Sequence, residues 1–141
     1  MDAEKCIRQF YCYIDRINPC LVLSRKPGLS PKVKMALEFI EENYRQPDCW
    51  CRAARCVRMH RSSLSRKMRK QLVEHDIYLT PHEYINGLRV REARKLLLSD
   101  PLLLEKEIAV KVGMNPTGFR RVFREFTGRS PISFRGLYSE E

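Results

Sequence analysis

No apolar run in this 141-residue chain approaches the ~20 residues that a bilayer-crossing helix needs. The polar start Met1-Asp2-Ala3-Glu4-Lys5 also lacks the charged-then-apolar layout of a signal peptide. A soluble, cytoplasmic protein is the expectation, with no membrane partner. Strand-like alternation is missing too, so the fold is expected to be all-α. The length leaves no room for a large catalytic domain. Histidine is scarce, and His60, His75 and His82 are too scattered to propose as ligands. No pairing of His with an acid points to catalysis, and no enzyme activity or cofactor is expected. Acidic residues fall short of basic ones: 17 Asp and Glu against 27 Lys and Arg give a net charge of +10. Such an excess favours a polyanionic partner through long-range attraction and counterion release, with nucleic acid ahead of an acidic surface.

Cysteine is present, six times, but nothing indicates secretion, and an intracellular compartment keeps thiols reduced. Cys49-Trp50-Cys51 with Cys56 beyond does not match the Cys-x2-4-Cys pairs of structural zinc sites, so no metal is expected. The thiols read instead as small apolar residues packed inside helices. A thiol-based redox or repair protein is the enzymatic alternative, since several Arg neighbour the cysteines.

Residues 1–18 place Ile7, Phe10, Tyr11, Ile14 and Ile17 at helical spacing, which predicts an amphipathic helix ending at Asn18-Pro19. An adaptor that uses this helix as its working surface is a second alternative. The turn-rich, charged stretch Ser24 to Gly28 reads as a linker, giving an N-terminal part over 1–29. Ser30-Pro31 then starts a helix with Val33, Leu37, Ile40 and Tyr44 on one face. Asp48 can cap a short helix through Val57, and another from about Arg61 buries Leu64, Met68 and Leu72; this unit spans 30–79. A long helix follows over 80–98, from Thr80-Pro81 to the stop at Ser99-Asp100-Pro101. The last unit, 99–141, holds short helices at Leu104 to Val112, Pro116 to Phe126 and Pro131 to Tyr138.

An offset of 55 residues aligns Ala54 with Ala109, Val57 with Val112, Met59 with Met114, Leu64 with Phe119, Arg66 with Arg121, Met68 with Phe123 and Arg69 with Arg124. That is the spacing of a helix-turn-helix: a small residue for close approach, a tight turn, then apolar anchors on a second helix. In the second copy Gly113 suits the turn, Asn115 the cap and Pro116 the first helical position. In the first copy Arg58 stands in the glycine position and His60 where a Ser or Asn would cap, which predicts a strained or differently shaped turn. The faces opposite the anchors present Arg61, Ser62, Ser63, Arg66, Arg69 and Lys70 in the first copy, and Thr117, Arg120, Arg121 and Arg124 in the second. Between Asp48 and Glu74 there are eight Arg or Lys and no acid. Arg can make two hydrogen bonds to guanine O6 and N7, and flanking Lys mostly contacts phosphate, so Arg66 and Arg121 lead as base-reading candidates. The bland alternative is contact with backbone only, or pairing with a neighbouring acid.

Residues 31–138 resemble the DNA-binding domain of the AraC/XylS transcription regulators. The resemblance rests on Glu107-Ile108-Ala109, Gly113, Phe119 to Phe123, Thr127 to Pro131 and Phe134-Arg135, with Leu88 to Leu97 matching the joining helix. It implies seven helices and a sequence-specific regulator that sets two recognition helices into successive major-groove segments of double-stranded DNA, associated with the nucleoid. It further implies RNA polymerase as a partner, and a monomer suffices in principle. Two origins stay open: a small stand-alone member, or a piece of a longer regulator.

Overall fold

Four helices begin on a proline that follows a polar residue, at Ser30-Pro31, Thr80-Pro81, Asn115-Pro116 and Ser130-Pro131. Proline at the first helical position loses no hydrogen bond and arrives with helical φ. The structure, a computed structural model, describes residues 23–138. Among them lie a 3-10 turn, Leu23–Arg25, and helices α1 (Pro31–Asn43), α2 (Cys49–Cys56), α3 (Arg61–Val73), α4 (Pro81–Ser99), α5 (Glu105–Lys111), α6 (Pro116–Thr127) and α7 (Pro131–Tyr138). The described fold is all-α, without a strand. The helix predicted over residues 1–18 lies outside the described residues.

The caps follow local chemistry unevenly. Thr80 and Glu83 form a reciprocal capping box, with Glu83 N–H on Thr80 Oγ1 (3.2 Å) and Thr80 N–H on Glu83 Oε1 (2.9 Å). Two expected caps are not made. Asp48 accepts instead from Arg52 Nε at 2.9 Å, one turn along α2. Ser30 is drawn into tertiary pairing: its amide donates to Gln71 Oε1 and its hydroxyl accepts from Gln71 Nε2, tying the start of α1 to α3.

The core divides inside α4. Val33, Leu37 and Ile40 of α1, Trp50, Ala53 and Ala54 of α2, and Leu64, Met68 and Leu72 of α3 bury against Tyr84, Ile85 and Leu88 of α4. Val90, Ala93 and Leu97 of the same helix join Ile108 and Ala109 of α5, Phe119, Phe123 and Phe126 of α6, and Phe134 of α7. One 19-residue rod, about 28 Å long, thus belongs to both units. Two arginines tie loops to this frame. Arg89, nearly buried between the two clusters, donates to the carbonyls of Tyr44 (2.7 Å) and Gln46 (2.8 Å). Arg135 of α7 donates to those of Leu97, Asp100 and Leu103.

The stretch expected as a linker is partly built into the first unit, because Leu23 and Ser24 are buried. Glu41 of α1 accepts from the Ser24 amide (3.0 Å), the Ser24 hydroxyl and Tyr84 Oη (2.5 Å), and Tyr84 Oη accepts from the Leu23 amide. Further along, His75 Nε2 lies 2.8 Å from the Pro27 carbonyl, so a histidine without a proposed role seats this strap against the end of α3.

Candidate nucleic-acid interface

Helices α3 and α6 are each preceded by a turn, and the two turns share one hydrogen-bond pattern. In the first, Val57 N–H bonds Ala53 O, Arg58 N–H bonds Arg55 O, and Met59 N–H bonds Ala54 O. In the second, displaced by 55 residues, Val112 bonds Ile108, Gly113 bonds Val110, and Met114 bonds Ala109. Ala54 and Ala109, both buried, let the second helix of each pair approach, while Leu64 with Met68 and Phe119 with Phe123 anchor it. Of the two outcomes expected at Arg58, a strained turn or a differently shaped one, the structure shows the first and not the second. Arg58 takes a left-handed φ of 56°, beside 86° at Gly113. The packing of α2 on α3 therefore imposes the glycine conformation on an arginine, at a local cost.

His60 likewise does what a capping residue does. Its Nδ1 accepts the Ser62 amide at 3.3 Å, as Asn115 Oδ1 accepts the Thr117 amide at 2.9 Å. In the first unit the ring also lies 2.8 Å from Ser62 Oγ, which holds that hydroxyl at the helix start.

On α3, Arg61, Ser62, Arg66, Arg69 and Lys70 are exposed and Ser63 is half-buried. Arg61 Nη1 leans on Cys51 Sγ at 3.4 Å. Arg66, Arg69 and Lys70 pair with no carboxylate among the described residues. On α6, Thr117, Arg120, Arg121 and Arg124 are all exposed and line one open concavity with Glu125 and Ser130. They differ in freedom. Arg120 Nε lies 3.7 Å from Glu105 Oε1 across the two helices, whereas Arg121 and Arg124 carry no ion pair among the described residues. The equivalent positions Ser62, Arg66, Arg69 and Thr117, Arg121, Arg124 therefore form the same exposed triplet on each second helix. Arg120 matches Ser65 under that offset and has no cationic counterpart.

Among the described residues no three His, Cys, Asp or Glu come together to hold a metal ion, and no helix is long and apolar enough to cross a membrane. The described thiols part ways. Cys49 packs in the core as expected, and burial pushes its thiol up to about 11. Cys51 is half-buried, and Cys56 is exposed rather than packed. The residues missed by sequence reasoning are those that tie the loop between α1 and α2 to α4: Arg45, Arg89 and Glu92. Arg45 Nη2 pairs with Glu92 Oε1 at 2.7 Å. The one signal for Arg89 was its place between Leu88 and Val90 in an apolar stretch.

Residues 53–136 match the helix-turn-helix domain family, of AraC type. The HTH-type transcriptional regulator YisR of Bacillus subtilis (strain 168) is 31% identical over 107 residues, which cover 75% of this chain and 35% of YisR. The chain thus spans about a third of the length of that relative. The C-terminal domain of AraT, a response regulator from Geobacillus stearothermophilus, superposes with a TM-score of 0.68 at 28% identity, covering 78% of this chain and 88% of that one. The DNA-binding domain of AdpA, a global transcriptional factor solved with a target DNA, gives a TM-score of 0.67 at 22% identity, over 79% and 96% of the two chains; that likeness is one of fold.

Proposed function

The chain belongs to the AraC-type helix-turn-helix family, and from that premise we propose that it is a sequence-specific, DNA-binding transcription regulator whose α3 and α6 enter successive major-groove segments. The observation that carries this reading is the doubled triplet: Ser62, Arg66, Arg69 and Thr117, Arg121, Arg124, each exposed on the second helix of a matching turn. Arginines without carboxylate partners keep their donors available for base edges and phosphates. Arg66 and Arg121 read bases. Arg61, Arg69, Lys70 and Arg124 contact the flanking phosphates, and Ser62, Ser63 and Thr117 bond to backbone or base edges. Arg120 is the exception, because its pairing with Glu105 takes up part of its charge and holds it back from DNA.

Under this reading the protein works on chromosomal DNA, in the cytoplasm at the nucleoid. RNA polymerase is the partner through which such a regulator would act on a promoter. Selection of bound sequences from random duplex DNA, repeated with Arg66→Ala and Arg121→Ala, tests the reading. The expected result is a site of two half-sites about one helical turn, roughly 10 base pairs, apart, each substitution relaxing its own half. A wild-type protein that selects nothing above random at moderate salt overturns it.

A further inference from the structure

The loop between α1 and α2 meets both the shared helix α4 and the turn of the second unit. Its backbone is held by α4, through Arg89 on the Tyr44 and Gln46 carbonyls. Its side chains are held by α4 as well, through Arg45 on Glu92 at 2.7 Å and Tyr44 Oη on Glu92 Oε2 at 3.5 Å. From the flanking helices Arg52 Nη1 of α2 fixes the Gln46 side chain at 2.7 Å, and Gln46 Nε2 donates to Asn43 Oδ1 at the end of α1. Against this braced loop sits the turn of the second unit. A Cβ on Gly113 would stand 2.6 Å from the Arg45 carbonyl carbon and 3.2 Å from its Cα, so only a glycine lets the two backbones meet. The loop is part of the first unit, and Gly113 begins the turn that launches α6.

We infer that Arg89, through the Tyr44 to Gln46 loop, and Gly113, seated on that loop, are positioning residues that fix the spacing between half-sites the protein accepts. This rests on the reading of α3 and α6 as two DNA-reading helices. A shared α4 by itself is a rod on which each unit packs by side chains alone. The loop adds a backbone-to-backbone stop between the units, and the buried guanidinium holds that stop in place with two donors in a rigid fork. Inserting or deleting one base pair moves one half-site by about 3.4 Å along the duplex and about 35° around it. A jointed pair of units absorbs such a displacement; a braced pair does not.

The test uses the selected duplex and two partners with one base pair added or removed between the half-sites, bound by the wild type and by Gly113→Ala and Arg89→Lys. Lysine keeps the charge and the buried stem but offers no planar fork to the two carbonyls. The wild type is expected to lose about tenfold or more in affinity on the altered spacings, the size of one lost base contact. Each variant is expected to narrow that ratio to about threefold or less while keeping the base preferences of both half-sites. If Gly113→Ala does not fold, as judged by its far-ultraviolet circular dichroism, Arg89→Lys decides. A folded variant with the wild-type ratio overturns the inference and leaves the DNA reading intact. A wild type that selects a single half-site, or no site, overturns the two-helix reading and this inference with it.

Discussion

Gly113 and Arg45, 68 positions apart, meet backbone to backbone where the second unit's turn rests on the loop between α1 and α2. The glycine carries two separate demands, a positive φ of 86° and the absence of a Cβ. Gly128, at the end of α6, carries only the first: its φ is 80° and nothing lies within 4 Å of a would-be Cβ. Gly128→Ala should therefore cost about 1 kcal/mol, the conformational term alone. Gly113→Ala should cost at least about 2 kcal/mol more, because two backbones must part. Urea unfolding followed through Trp50 measures both, and equal costs would show that the contact with Arg45 carries no weight.

Arg58 is the mirror case, an L residue in the left-handed region with its side chain exposed. Arg58→Gly removes a strain of about 1 to 2 kcal/mol and gives back about 0.4 to 1 kcal/mol through the looser unfolded chain. A net gain of between zero and about 1.6 kcal/mol in unfolding free energy is expected. A measured loss would mean that the Arg58 side chain holds something that outweighs the strain.

These two turns also show what sequence alone can convey. Gly113, Asn115 and Pro116 were legible because each residue's own chemistry demands the conformation it adopts. For Arg58 and His60 the positions and the strain were legible but the retained turn and cap were not, since tertiary packing put an arginine where glycine is cheapest and a ring nitrogen where an amide oxygen usually caps. The helices emerged within a residue or two because apolar spacing and proline punctuation agree. The bracing of the units did not: Arg89 and Glu92 sit on a helix buried on different sides along its length, so no single apolar face marks them. An arginine whose partners are carbonyls distant in the chain leaves no trace in local pattern.

Burial raises the Cys49 thiol to about 11, from an ordinary value near 9. The sign is that of an acid kept neutral by the fold. Below pH 9 both folded and unfolded chains hold the proton, and the contribution of the buried thiol is complete. Between pH 9 and 11 the unfolded chain releases it first, so stability falls through that window by an amount on the order of 2 kcal/mol. Cys49→Ala should flatten this part of the pH profile in urea unfolding relative to the wild type. Profiles that run parallel from pH 9 to 11 would contradict the assignment.

Arg120 and Arg121 are neighbours on α6 with different engagements, and DNA affinity at several salt concentrations should separate them. Arg121 has no carboxylate partner among the described residues, so under the proposed reading its loss removes a base contact: Arg121→Ala should weaken the selected site by about 1 to 3 kcal/mol and relax one position. Arg120 is held beside Glu105, which neutralises part of its charge before any DNA arrives. Arg120→Ala should then leave the preferred sequence unchanged and lower affinity by under about 1 kcal/mol. The sharper test is Glu105→Ala, which releases Arg120 without deleting it. A cation newly available to phosphate should steepen the dependence of log affinity on log salt by about 0.9, the increment for one more neutralised phosphate. An unchanged slope would mean that Arg120 either already reaches phosphate past Glu105 or points away from the duplex in the complex. The two outcomes differ again in Arg120→Ala, which lowers the wild-type slope in the first and leaves it alone in the second.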